Sequence, residues 1–215
     1  MSSPRLLILA VGALAAFAVA GCDFADDGPR TSQTRDVASF TRIDNKGSVD
    51  VRLHVGEKQK VKVWAGEKVI DDVATEVRDG TLMIAFDHDG WGGNDVVVEA
   101  SVPKLTGIEA SGSGDIDADG IEGDAFAVKS DGSSDIALAG AAKTLDLEID
   151  GSGDADLAGL RTAAATVSVS GSGNADVRAD DRLSVEVDGS GDVRYHGSPQ
   201  LEQSVDGSGD LTHVE

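Results

Sequence analysis

The sequence has a single cysteine, four prolines and only 4% aromatic residues in 215. A lone cysteine excludes any disulfide within the chain. With so few rings, the core must be narrow and lined by Val, Ile, Leu and Ala rather than by large aromatic side chains. Basic residues are also short: 18 Lys and Arg against 39 Asp and Glu give a net charge of -21. A chain so acidic, with no basic stripe, is repelled by a nucleic-acid backbone, and its folded part is a poor partner for an anionic membrane surface. Helical periodicity is missing beyond the first 22 residues, and Ala141-Ala142 and Ala163 to Ala165 are too short to supply it. Enzyme signatures are missing too. His54, His88, His196 and His213 lack metal-ligand spacing. The Gly-Ser-Gly triplets are not the GxSxG elbow, which needs a strand-turn-helix context, and no phosphate-binding loop precedes a helix. The chain reads as non-enzymatic and without a resident cofactor.

Residues 1–21 read as a targeting segment. Arg5 gives a minimal positive start, and Leu6 to Ala20 is apolar throughout apart from Gly12. That run is shorter than the about 20 residues a spanning helix requires. It ends in Val19-Ala20-Gly21-Cys22, which resembles the lipobox of bacterial lipoproteins. The resemblance implies cleavage before Cys22, a diacylglycerol on its thiol and an acyl chain such as palmitate on its new amino group. The chain is then held to a membrane of the cell envelope, facing the periplasm or the surface. Asp23 resembles the inner-membrane retention signal of enterobacterial lipoproteins, a rule that does not carry safely to other lineages, so inner and outer membrane both stay open. Residues 22–36, polar and containing Gly28-Pro29, read as the lipidated cysteine followed by a flexible tether.

From Val37 the pattern switches to period two. Val49, Val51, Leu53 and Val55 alternate with polar residues, as do Val61 and Val63, and further strands are expected at Thr75 to Val77, Thr81 to Phe86 and Val96 to Val102. The second half repeats. SGSGD, DGSSD, DGSGD or SGSGN turns place their first glycines at Gly112, Gly132, Gly151, Gly171, Gly189 and Gly207, spaced by 20, 19, 20, 18 and 18 residues. Eight residues past the first five stand Gly120, Gly140, Gly159, Ala179 and Gly197, so the variation in unit length is expected in the loop that follows. Apolar residues recur at fixed offsets on both sides of each turn: Ile136 and Leu138 after one, Leu145, Leu147 and Ile149 before the next. Two short alternating strands per unit cannot bury their inner face alone, and stacked neighbours complete the core. The expected fold is all-β: a parallel β-solenoid (β-helix) whose first part is an N-terminal β-meander, forming one domain over 37–215.

Repeated SGSGD and DGSGD turns, an upstream meander opening with Phe40 and Gly47-Ser48-Val49, and the lipobox together resemble the autotransporter-adhesin head (GIN) domain family of exported bacterial proteins. The resemblance covers about Val37 to Val214 and implies a β-helical fold. It implies no catalytic residues.

Two groups could carry chemistry. Asp115, Asp135, Asp154, Asp192 and Asp210, with Asn174, should form one ladder, and Asp131, Asp150, Asp188 and Asp206 a second beside it. Stacked carboxylates repel unless protonated, solvated or bridged, and calcium takes six to eight oxygen ligands, so the ladders are candidate calcium ligands. The alternative is that Asp and Ser cap the turn through nearby backbone N–H groups while Gly permits its shape. The calcium-binding β-helix repeat has a nine-residue period, which these turns do not match. The second group is the loop Asp87-His88-Asp89-Gly90-Trp91-Gly92-Gly93-Asn94-Asp95. It places Asp87, Asp89 and Asp95 at positions 1, 3 and 9 of a calcium loop, but Trp91 and Val98 fall where ligands are needed. Trp91 could instead stack on a sugar or a partner, or fold over the open end of the barrel. The expected role is a non-catalytic envelope lipoprotein serving adhesion, scaffolding or ligand display toward an envelope protein or glycan. The alternative is a β-helical carbohydrate-active or calcium-dependent enzyme acting on envelope polysaccharide.

Overall fold

The structure, a computed structural model, describes residues 27–86 and 96–215. The first part of the chain contributes β1 (Arg30–Arg35), β2 (Arg42–Gly47), β3 (Asp50–Val55), β4 (Lys60–Gly66), β5 (Val73–Arg78), β6 (Thr81–Phe86) and β7 (Val97–Val102). The repeats contribute β8 (Gly107–Gly112) and the long strands β9 (Ile116–Gly132), β10 (Ile136–Gly151), β11 (Ala155–Gly171) and β12 (Ala175–Gly189). Then come β13 (Val193–His196), β14 (Gln200–Gly207) and β15 (Leu211–Val214). All belong to one sheet that winds around one core. The fold is a parallel β-solenoid.

Each coil contributes to two parallel stacks. The first runs from β3 through the opening residues of β9, β10, β11 and β12 to β13 and β15. The second runs from β2 through β8 and the closing residues of the same long strands to β14. Period two turns one residue in each pair inward. Ile116, Ile136, Ala155, Ala175 and Val193 stand in register along the first stack, and none is more than 3% exposed. Phe126, Leu145, Ala165 and Leu183 do the same on the second. Burying each large aliphatic side chain contributes about 1.5–3 kcal/mol, and no single coil could do so without the coils above and below it. Register shifts fall between Ala137 and Gly140, Leu157 and Arg161, and Thr162 and Ala164. Unit length therefore varies on both sides of the corner glycine rather than only after it.

The N-terminal part supplies the antiparallel pairs β1–β4, β4–β7 and β5–β6, but its strands are not stacked in chain order. β2 lies between β6 and β8, and β3 between β7 and β9. The coil made first is thus enclosed by coils made later. Residues 30–35, expected as tether, are instead a strand: Arg30 to Arg35 pair with Gly66 to Val61 of β4. Alternating hydrophobicity gave no sign of it because this strand ends the core rather than filling it. Its Gln33 Nε2 donates to Asp71 Oδ1 at 2.8 Å, and Arg35 Nη2 donates to the Ile70 carbonyl at 2.7 Å.

Candidate functional site

The recurring turn occupies one corner of every coil. The first glycines stack so closely that a Cβ on Gly171 would stand 2.4 Å from the Gly151 carbonyl oxygen. Gly171 also has φ +120°, a conformation that side chains resist. The following serines continue the ladder through the corner: Ser152 N–H donates to Gly132 O at 2.8 Å and Ser172 N–H to Gly151 O at 2.9 Å.

The acidic residue that closes each turn is held the same way. The Oδ1 of Asp115 accepts the backbone N–H of Asp135 at 3.2 Å, and that of Asp135 accepts Asp154 N–H at 2.9 Å. The series goes on from Asp154 to Asn174, from Asn174 to Asp192 and from Asp192 to Asp210, each at 2.9–3.0 Å. The five aspartates expected as calcium ligands are therefore in one ladder, and four of them each use one oxygen to accept the N–H of the next coil. Such a bond to a charged acceptor is worth about 1.5–3 kcal/mol when shielded and less at an exposed corner. Among the described residues, no three His, Cys, Asp or Glu side chains converge where a metal ion could be held. The second row is interrupted once: Ser170 stands between Asp150 and Asp188 and divides the row into two neighbouring pairs, Asp131 with Asp150 and Asp188 with Asp206. Asp50 heads the first ladder, with its Oδ1 accepting Asp115 N–H at 3.1 Å. Its signal was present in Gly47-Ser48-Val49-Asp50, a turn of the same spacing with valine in place of the second glycine. Gly47 stands in register with Gly112.

Beside the ladder, the outer face of the first stack forms a shallow groove of about 460 Å³ lined by Asp154, Asp156, Asp176, Asp192, Arg194 and Asp210, among others. Asp176 is paired there with Arg194 at 3.3 Å and with His196 at 2.9 Å. Toward β1 the same face becomes mixed in charge. Lys62 Nζ sits 3.7 Å from the Trp64 ring centre, and Trp64 Nε1 donates to Glu99 at 2.8 Å. His54 Nδ1 lies 3.0 Å from an Asp119 oxygen. The hydrogen bond and charge of Asp119 raise the His54 pKa above the usual imidazole value. Sequence reading missed this group because its members come from separate strands. Cys22 and the loop residues Asp87, Asp89, Trp91 and Asp95 lie outside the described residues.

Stacked GSxD corners around a narrow aliphatic core define a β-solenoid of the adhesin-head type. The chain belongs to the family described as "Putative auto-transporter adhesin, head GIN domain", whose model matches residues 39–199. Solved structures share the fold. A putative adhesin from Bacteroides fragilis is 21% identical with TM-score 0.71, the match covering 86% of this chain and 97% of that one. A putative lipid binding protein from Parabacteroides distasonis is 20% identical with TM-score 0.58, covering 87% and 98%. A putative adhesin from Parabacteroides merdae is 17% identical with TM-score 0.57, covering 87% and 97%. Comparison with the curated proteins returns no match.

Proposed function

We propose that this chain is a non-catalytic envelope lipoprotein, held by acyl chains on Cys22, that presents an acidic β-solenoid for adhesion, scaffolding or ligand display. The observation that carries this reading is the use of the acidic corners. The carboxylates of Asp115, Asp135, Asp154 and Asp192, with the amide oxygen of Asn174, tie each repeat coil to the next, so this acidic row serves to stiffen a rod. A stiff rod with an acidic, mostly flat side is suited to contact along its length. The adhesin descriptions of the family and of two solved relatives agree with this role.

The test sets binding against turnover. Full-length protein immobilised through its N-terminal region is exposed to purified envelope glycans and envelope proteins, and the same glycans are incubated with it in solution. Retention without new reducing ends or unsaturated sugar products is the expected result. Product formation that grows linearly with protein concentration would replace adhesion with polysaccharide cleavage.

A further inference from the structure

The two ends of the solenoid differ. At the β1 end both stacks finish in antiparallel strands, β1 on one and β5 on the other, and β1 turns polar residues inward. At the other end, among the described residues, β14 pairs only with β12 and β15 only with β13. In the first stack, Tyr195 of β13 and His213 of β15 stack on one another at 4.9 Å. Among the described residues, the second stack ends without such a ring pair. Leu201 stands in register with Leu183, and Val205 with Val187. The inner pair is 0% and 1% exposed, whereas Leu201 is 40% and Val205 39% exposed, the large apolar side chains most open to water among the described residues. β14 therefore presents an inner row of Leu201, Gln203 and Val205, apolar at both ends, and an edge of backbone donors and acceptors unused among the described residues, the combination that accepts another strand.

Charge defines the occupant. From Tyr195 onward the sequence has no Lys or Arg but contains Glu202, Asp206, Asp210 and Glu215. Leu201 and Val205 point inward, so Glu202 and Asp206 point outward from the same strand. A second copy fits poorly. Two β14 strands paired antiparallel would bring acidic residues together. Stacking end to end would set β14 against β5, whose inner Val73, Thr75 and Val77 would meet Leu201 and Val205, but whose outward Glu76 and Arg78 are paired with each other and leave no positive charge for Glu202 and Asp206.

We infer that the β14 edge binds an extended peptide segment that alternates apolar and basic residues. Its apolar side chains continue the columns of Leu201 and Val205, and its basic side chains lie about 4.8 Å on, beside Glu202 and Asp206. This names a partner chemistry for the display role proposed above and rests on that reading for its biological meaning. The assay below reads the edge itself, so its outcome is separable from attachment to envelope material.

Fluorescent peptides are titrated into the full-length chain and followed by anisotropy: an alternating Lys-Val peptide, a block peptide of the same composition and an alternating Glu-Val peptide. The alternating basic peptide should bind about tenfold or more tightly than either of the others, a difference of roughly 1.4 kcal/mol. A Leu201→Lys, Val205→Lys variant should lose that binding, and a Glu202→Lys, Asp206→Lys variant should prefer the acidic alternating peptide. Amide shifts on titration of the unmodified protein should centre on residues 200–207, a readout that does not depend on any variant folding. Three results would overturn the inference: equal binding of the block peptide, amide shifts centred elsewhere, or a self-associated dimer that the Leu201→Lys, Val205→Lys change abolishes.

Discussion

The Asp154 carboxylate accepts two hydrogen bonds from one residue of the next coil: the backbone N–H and the side-chain amide of Asn174, both at 2.9 Å. Asn174 is the only amide among the six GSGD-type corners of the repeat, and it stands where two carboxylates would otherwise be neighbours. It passes the ladder on, since its own Oδ1 accepts Asp192 N–H at 3.0 Å. One neutral rung therefore preserves the backbone bonding while dividing the row of negative charge.

Asn174→Asp removes the second donor and restores adjacent carboxylates. It should destabilise by about 1 kcal/mol in low salt, or roughly 2–4 °C in melting temperature, and recover much of this at about 1 M salt. Asp154→Ala should cost ~1–2 kcal/mol at either salt concentration. Asp154→Asn, which keeps the acceptor, should be nearly neutral. Thermal melts of the three variants check the scheme, and equal losses for Asp154→Ala and Asp154→Asn would remove the hydrogen bond from the account.

Gly171→Val should be far more damaging than any change of charge. Its φ of +120° excludes a β-branched residue, and its Cβ would collide with the backbone of the coil below. Because the blocking atom is a carbonyl within the ladder, no side chain can move aside. The expected loss is about 3 kcal/mol or more, roughly 6–12 °C or failure to accumulate as folded protein. Circular dichroism melts read it directly.

The solenoid was legible because its signal is periodic. A corner every 18 to 20 residues, with apolar residues at fixed offsets such as Leu147, Val167 and Val185, leaves few other ways to bury both faces. The first part was legible strand by strand but not in its order, because the enclosure of β2–β3 between β6–β7 and β8–β9 depends on long-range pairing with no local mark. β1 escaped notice because Thr31, Gln33 and Arg35 form a polar end to the core. The aspartate ladder was visible as a row of residue types. Its use of carboxylate oxygens to accept the next coil's N–H groups could be seen only in three dimensions.

His54 offers a check on the outer face. The neighbouring Asp119 raises its pKa, chiefly through their hydrogen bond and then through charge. A raised folded-state pKa contributes stability that is fully present below the pKa of an unfolded-chain histidine and is lost as pH rises through the folded value. The pair is well exposed, so the effect on stability should be small. Nuclear magnetic resonance titration should place His54 above the usual imidazole range, and Asp119→Asn should bring it back to that range.

The anchor proposed at Cys22 has a direct readout. Cys22→Ser should abolish metabolic labelling with a palmitate analogue and leave uncleaved precursor or protein released into the soluble fraction. Intact-mass detection of a mature chain beginning elsewhere than at Cys22 and carrying no acyl group would exclude the lipobox reading.

Calcium distinguishes an acidic ladder that caps turns from one that binds ions. Asp115, Asp135, Asp154 and Asp192 each commit one oxygen to the next coil's N–H, which leaves fewer lone pairs for a cation needing six to eight oxygens. On this basis divalent ions act mainly by screening a chain of net charge -21. Calcium and magnesium should then raise the melting temperature by similar, small amounts. A bound site would behave differently: at 100 times its dissociation constant a specific ion stabilises by about 2.7 kcal/mol, roughly 5–11 °C for a domain of this size. Magnesium would not reproduce that shift, because it demands tight octahedral geometry and gives up its water reluctantly. A large rise specific to calcium, lost in an Asp154→Asn, Asp192→Asn double variant that melts normally without the ion, would make the ladder a metal site.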